Sequence, residues 1–309
     1  MTKLAWVFPG QGSQSVGMLS SLAAHYPIVQ DTFKIASDVL GYDLWELVQS
    51  DSQQKLGQTH ITQPALLSAS YAIYKVLQEA GADKPDYLAG HSLGEYSALV
   101  CAGVIEFSDA VKLVEARGQF MQQTVPEGVG AMYAIIGLDD ALVLASCQQA
   151  ETETQQVVSA VNFNSPGQIV IAGNTDAVAM AGELCKKAGA KRALPLSVSV
   201  PSHCALMKPA ADKLANSLNQ IQFNTPQLPV INNVDVASPS EPELIKQALV
   251  KQLYSPVRWT ETVQKMASLG VKNIYELGPG KVLTGLVKRI DKSLHCEALN
   301  SADAVSALK

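Results

Sequence analysis

The sequence predicts an α/β fold, with a large domain built on a mostly parallel sheet and interrupted by a small domain of βαββαβ order. Strand-like and helix-like runs alternate through the first and last parts of the chain, as a parallel sheet with crossover helices requires. A serine flanked by glycines separates one such strand from its helix. Between residues 128 and 198 the order changes to strand, helix, strand, strand, helix, strand, which is the order of a ferredoxin-like split βαβ unit. Residues 1-127 and 199-309 are therefore expected to form one discontinuous large domain, hydrolase-like in its strand–serine–helix element, with 128-198 inserted as the small domain.

The apolar run Leu4-Ala5-Trp6-Val7-Phe8 stops at Pro9-Gly10 and reads as a first buried strand, too short for the core of a signal peptide. The loop Gly10-Gln11-Gly12-Ser13-Gln14-Ser15-Val16-Gly17 follows it. Its place after a strand invites a phosphate-binding reading, but Ser15 breaks the dinucleotide fingerprint and Met18 stands where a Walker loop needs lysine. The loop is read instead as backbone that approaches another group closely. A helical stretch opens near Ser20, and a later helix carries Trp45, Leu47 and Val48. Thr62-Gln63-Pro64 offers a cap-like threonine and a first-turn proline to a helix over 65–80, ended by Gly81 and expected beside the glycine-flanked serine. Ser108 is the expected cap of a helix that runs to about Gln123.

In the inserted block Ala131 to Ile136 reads as strand and Asp139 to Ala150 as helix. Val157 to Asn162 and Gln168 to Ala172 read as strands joined by Asn164-Ser165-Pro166-Gly167, Thr175 to Ala188 as helix, and Ala193 to Val200 as strand. Beyond it, Lys208 to Leu218, Glu241 to Leu253 and Val282 to Arg289 read as helices. Val230 to Val234 and Ile274 to Leu277 read as strands, the second followed by Gly278-Pro279-Gly280.

Composition narrows the function class. The 309 residues are 47% hydrophobic and 17% charged, as in a globular chain, and the net charge of −5 argues against a nucleic-acid binder dominated by phosphate contacts. No segment approaches the length of a membrane span. Cys101, Cys147, Cys185, Cys204 and Cys296 form no C-x-x-C pair and no zinc spacing, so free thiols in a reducing compartment, the cytoplasm, and no bound metal are expected.

The chemistry centres on Gly90-His91-Ser92-Leu93-Gly94. A G-x-S-x-G run between a strand (Asp86-Tyr87-Leu88-Ala89) and a run of helix formers from Glu95 to Ala102 describes a serine held on a sharp turn. Small residues at 90 and 94 let the two elements approach, and the unpaired N–H groups at the helix start favour an oxyanion beside Ser92. An alkyl hydroxyl needs a base. Of five histidines, His91 is adjacent in sequence, which points its side chain away, while His25, His60 and His295 lie in polar or terminal surroundings. His203, in the loop after the insertion, is best placed to return to the serine. Cys204 beside it reads as packing. No Asp or Glu stands out as third member of a triad, so either a carbonyl orients the imidazole or the acid is not visible in the sequence.

Arg117 falls in the apolar stripe of its helix, on the face of Leu113 and Val114. A guanidinium turned inward needs an anion. Either a local Glu or Asp supplies it, or the stem packs while the head reaches water, or a substrate carboxylate is held there.

Together Gly10-Gln11-Gly12-Ser13-Gln14, Gly90-His91-Ser92-Leu93-Gly94-Glu95, Arg117 and Pro201-Ser202-His203 resemble the malonyl-CoA:acyl carrier protein transacylases of type II fatty-acid synthesis. The resemblance extends through Asn162-Phe163-Asn164-Ser165-Pro166-Gly167-Gln168, Gln252-Leu253-Tyr254-Ser255-Pro256-Val257 and Glu276-Leu277-Gly278-Pro279-Gly280-Lys281. It implies a ping-pong acyl transfer in which Ser92 takes malonyl from malonyl-CoA and gives it to the phosphopantetheine thiol of acyl carrier protein. By the same resemblance His203 is the base, the main-chain N–H groups of Gln11 and Leu93 hold the oxyanion, and the main-chain carbonyl of Gln252 orients the imidazole. Arg117 binds the malonate carboxylate, and coenzyme A enters as a substrate rather than a cofactor. Ser202 occupies a place where malonyl-selective domains of modular synthases often carry Phe, and so resembles stand-alone bacterial enzymes.

An acidic carrier protein needs a local positive surface on a chain that is itself acidic. Lys186, Lys187, Lys191 and Arg192 form one candidate cluster, and Lys288 and Arg289 another. A hydrolase on the same serine is the competing enzymatic reading and a non-catalytic scaffold for carrier protein the third. Arg117 speaks against the first, and Ser92, His203 and Arg117 together against the second. A monomer is expected.

Overall fold

The computed structural model describes residues 2–126, 128–197 and 200–308. Its strands are β1 (Lys3–Phe8), β2 (Tyr87–Gly90), β3 (Gly130–Ile136), β4 (Val158–Ser165), β5 (Gln168–Asn174), β6 (Arg192–Pro195), β7 (Val230–Ile231), β8 (Val271–Glu276) and β9 (His295–Ala298). They sort into two sheets. The larger has the order β7-β2-β1-β8-β9, and every pairing in it is parallel.

The continuous apolar run of β1 follows from burial on both faces. Successive side chains of a strand point to opposite sides, so Trp6 and Phe8 enter one core while Ala5 and Val7 enter the other. Helices Ile28–Leu40, Thr59–Glu79, Gly94–Cys101, Phe107–Thr124, Lys208–Leu218 and Pro242–Gln252 cover the first face. Trp259–Ser268 and Val282–Ile290 cover the second. Each fully buried large side chain in these layers, such as Phe8 or Trp259, contributes about 1.5–3 kcal/mol.

Numbered along the chain within this sheet, the strand order is 3-2-1-4-5, with its reversal between β1 and β8. In parallel sheets ligands bind beyond the carboxyl ends of the strands near such a reversal. The loops after β1, β2, β7 and β8 all leave from that edge.

The smaller sheet has the order β4-β5-β3-β6 with antiparallel neighbours throughout, the arrangement of a ferredoxin-like unit. Helices Asp140–Thr154 and Thr175–Lys187 pack on the face that carries Ile135, Val158, Ile169 and Ile171. Met132, Val161, Val170 and Ala172 on the other face enclose Cys204, next to His203. A short parallel bridge joins the two sheets' surroundings: Phe163 N–H donates to Val257 O at 3.0 Å, and Val257 N–H to Val161 O at 2.8 Å.

Several boundaries differ from the sequence reading. The helix expected from Ala65 begins at Thr59; Thr62 does not cap it but sits inside the first turn, its hydroxyl donating to Leu56 O. Pro64 lies inside the helix as its sixth residue, one turn further in than a first-turn proline, and lacks the N–H that would bond back to the first turn. Ser108 is likewise inside its helix, which starts at Phe107 with Glu106 at the cap position. The expected strand to Val200 ends at Pro195, and the one to Val234 ends at Ile231, because Asn233 is drawn beneath Ser92. Val198 and Ser199, where the boundary between the two expected domains falls, lie outside the described residues, as do Glu127 and the chain's two terminal residues.

Helix Trp259–Ser268 and strand β9 were not expected. The helix buries Trp259, Val263 and Met266 at helical spacing, a signal present in the sequence. His295-Cys296-Glu297-Ala298 does alternate polar with small apolar residues, but over only four positions at an edge of the sheet, too short a run to stand out in the sequence.

Candidate active site

Ser92 sits two residues beyond β2 with φ of +52°, in the left-handed region that costs a non-glycine residue on the order of 1–3 kcal/mol. The turn is held by lack of space. A Cβ on Gly90 would fall 1.8 Å from the Gly94 carbonyl carbon, and one on Gly94 would fall 2.0 Å from Phe8 O. Only glycine fits at either place. Asn233 locks the serine from below: its Oδ1 accepts from Ser92 N–H at 2.7 Å, while its Nδ2 donates to Gly90 O at 2.6 Å.

His203, buried and itself at φ +65°, places Nε2 2.7 Å from Ser92 Oγ. Its Nδ1 lies 2.7 Å from Gln252 O, a pure acceptor, so Nδ1 carries the proton and Nε2 is left to accept from the serine hydroxyl. A main-chain carbonyl therefore orients the imidazole, which decides between the two possibilities the sequence left open.

Arg117 is 2% exposed. Its Nη1 donates to Gln63 Oε1 at 2.8 Å and its Nη2 to Gln252 Oε1 at 3.0 Å, and the guanidinium lies 5.4 Å from the centroid of the Tyr96 ring. Nε has no acceptor among the described residues. Both side-chain acceptors are neutral amides. Gln11, Ser92, Leu93, Arg117, His203 and Met132 border one cavity of about 100 Å³. Leu93 directly precedes the first turn of helix Gly94–Cys101, in which the N–H groups of Gly94, Glu95 and Tyr96 bond back to the carbonyls of His91, Ser92 and Leu93, so the donor nearest the cavity is the N–H of Leu93 itself.

Of the other histidines, His91 also borders this cavity, but its imidazole is held by Asn164 and not by Ser92. His91 Nε2 is 2.8 Å from Asn164 Oδ1, on β4, with its ring 5.6 Å from that of Trp259; His25 and His295 are exposed, and His60 is half-buried. Cys204 Sγ donates to Pro201 O, and burial pushes its thiol up to about 11, so it remains a neutral packing group.

Residues 5–308 match the acyl transferase domain family. The chain belongs to that family. It is 62% identical over 307 residues to a malonyl CoA-acyl carrier protein transacylase of Escherichia coli strain K12, covering 99% of each chain. It is 63% identical over 310 residues to the one from Haemophilus influenzae, covering 100% of this chain and 99% of that one. A 1.7 Å crystal structure of an acyl carrier protein S-malonyltransferase from Vibrio cholerae superposes with a TM-score of 0.97 at 63% identity over the whole of both chains. A type II PKS acyl-carrier protein in complex with its malonyl-transacylase gives 0.98 at 59% identity over 99% of each.

In this acyltransferase the buried charges are arranged around Gln252. Its side-chain Nε2 donates to Glu95 Oε2 at 2.9 Å and to Ser92 O at 3.1 Å, its Oε1 serves Arg117, and its main-chain carbonyl serves His203. Burial, with the Arg117 charge behind it, pushes His203 down to about 3, so the imidazole is neutral and available as a base at neutral pH. Burial lowers Arg117 as well, with partial compensation from Tyr96 and Glu95. Burial raises Glu95 to about 7, against the stabilising bonds from Asn233 and Gln252.

Sequence reasoning missed Gln63, Glu95, Asn233 and the side-chain role of Gln252. Glu95 was legible as a lone carboxylate in a helix otherwise made of small and apolar residues. Nothing in the sequence marks Asn233, which comes from a segment 141 positions distant in the chain.

Among the described residues no group of three or more His, Cys, Asp or Glu side chains is placed to hold a metal ion, and no helix is long and apolar enough to cross a membrane.

Proposed function

We propose that this acyltransferase moves malonyl from malonyl-CoA to the phosphopantetheine thiol of acyl carrier protein, supplying extender units for fatty-acid synthesis. The observation that carries this reading is Arg117, a buried cation touched only by neutral acceptors, on the wall of the cavity that holds Ser92 and His203. Such a charge is costly unless an anion meets it, and a carboxylate matches the guanidinium bidentately. Its volume, about three waters' share of liquid, suits a three-carbon acyl group.

In the first half-reaction Ser92 Oγ attacks the thioester carbonyl as its proton passes to His203 Nε2. The carbonyl oxygen becomes an oxyanion, held by the N–H groups of Gln11 and Leu93. The C–S bond breaks, and the departing thiolate takes the proton back from His203. In the second half the carrier thiol gives its proton to His203, its sulfur attacks the malonyl ester, and Ser92 leaves with that proton. A carboxylate seated on Arg117 offsets the charge that lowers His203, so substrate binding makes the base stronger.

Residues 1-127 and 199-309 act as the catalytic domain and 128-198 as a cover. Met132 and Leu196 of the small domain line the cavity, shielding the acyl-enzyme from water. Intact-mass measurement tests both points together: malonyl-CoA alone is expected to leave a stable malonyl adduct, and added carrier protein to discharge it. An adduct that hydrolyses as fast as carrier protein removes it contradicts the transferase reading.

The carrier docks where the two basic clusters meet. Ile136 pairs with Gln168 on one side and Arg192 on the other, which puts Gln168 and Arg192 two strand spacings or about 10 Å apart, and Arg289 donates to Gln168, so Arg192 and Arg289 flank the same end of the small sheet. That end lies about 13 Å along β3 from cavity-lining Met132. Lys186, which pairs with Glu183, Lys187, Lys191 and Lys288 are exposed beside it. Charge reversal at both clusters is expected to raise KM for carrier protein at low salt and leave malonyl-CoA loading intact; unchanged transfer removes this surface from the docking role. The enzyme works as a cytoplasmic monomer and requires no cofactor.

A further inference from the structure

Glu95 is 2% exposed, in the first turn after the serine, and faces the substrate only through another residue. Its Oε2 accepts from Asn233 N–H and from Gln252 Nε2, each at 2.9 Å. The Gln252 amide could in principle sit in either of two senses. With its ends exchanged, Oε1 would face the oxygens of Glu95 and Ser92, and the NH₂ group would face the donors of Arg117; all three contacts would turn repulsive. The carboxylate of Glu95 and the carbonyl of Ser92 therefore dictate that Gln252 offers an acceptor to Arg117. Among the described residues no direct ion pair joins Glu95 to Arg117. The interposed amide leaves the guanidinium charge free for the cavity.

We infer that Glu95 is a positioning residue for carboxylate selectivity, holding Arg117 in place through the amide of Gln252. The inference rests on the reading of Arg117 as the malonate anchor. It adds a proton-linked element to it. Arg117, Tyr96 and Asp235 carry the charged and titratable groups that act on Glu95, and His203 lies beyond Gln252. Since burial raises Glu95 to about 7, its carboxylate is ionised and accepts strongly above that pH, and protonates as pH falls through it.

Glu95→Gln keeps the size and removes the charge, and kcat/KM for malonyl-CoA and acetyl-CoA measured between about pH 6 and pH 8 reads the effect. In the wild type the malonyl-to-acetyl ratio is expected to fall as pH drops through about 7. Titration of the coenzyme A phosphates is common to both substrates and cancels in the ratio. At pH 8 the variant is expected to show a ratio about tenfold lower, the worth of one charge-assisted bond, and no change with pH. In an Arg117→Ala background Glu95→Gln should leave the ratio as it is, because the path to the substrate is already cut. Equal losses for both substrates, or an unchanged ratio, would overturn the inference. If the variant does not fold, the wild-type ratio decides: a fall through about pH 7 supports Glu95 and a constant ratio sinks it. A wild type with no preference for malonyl removes the Arg117 reading itself, a result distinct from a preference that survives Glu95→Gln.

Discussion

Ser92→Ala is expected to abolish the malonyl adduct in intact-mass spectra and to lower turnover by as much as ~10⁶, because nucleophile and base work as a unit. The geometry gives the reason. Ser92 Oγ and His203 Nε2 are 2.7 Å apart, and removal of the hydroxyl leaves a neutral imidazole with no proton to accept and no atom to carry the acyl group. What remains is cavity and oxyanion donors, which can bind a thioester and cannot exchange it. The fold should survive, since alanine inherits only the strained φ of +52° that serine already tolerates. A variant that still acquires the malonyl mass would move the nucleophile elsewhere. Cys204 would be the first place to look, though its raised thiol and its bond to Pro201 argue against it.

Arg117→Ala is expected to lose about 2–5 kcal/mol of malonyl recognition, or about 30-fold to 5,000-fold in kcat/KM. Acetyl transfer should suffer less, because it offers no carboxylate. Removal of the guanidinium also strands Gln63 Oε1 and Gln252 Oε1, two buried acceptors, so a drop in thermal midpoint is expected alongside the kinetic change. The malonyl-to-acetyl ratio separates the two effects, since lost stability acts on both substrates alike. Equal losses would take Arg117 out of the carboxylate role.

Much of the site was legible because local constraints wrote it into short stretches. Gly90 and Gly94 mark the turn because no side chain fits between β2, β1 and the following helix. Arg117 was conspicuous as a charge in an apolar stripe, and the βαββαβ order of the small domain reproduces its sheet. Helix starts at Thr59 and Phe107 were misplaced since the caps there carry no side-chain hydrogen bond, which leaves nothing for a sequence reading to find. Asn233 is illegible for a different reason: it is ordinary in its own segment, whereas Glu95 is marked as a lone carboxylate in a helix of small and apolar residues but its partner lies 157 positions away.

By itself the sequence determined that a serine is exposed on a strained turn, that a cation is turned inward, and that strands alternate with helices around a small inserted sheet. Those properties depend on spacing, side-chain size and periodicity over a few residues. Only the tertiary structure decided what meets the serine and the cation. The carbonyl of Gln252 and the amide of Asn233 come from segments more than a hundred residues away from the serine, converging where parallel strands end together, and Glu95, close in the chain, meets the cation only through the Gln252 amide. A main-chain carbonyl can take the place of an acid in orienting His203 because a backbone acceptor carries no sequence signature and is positioned solely by the fold.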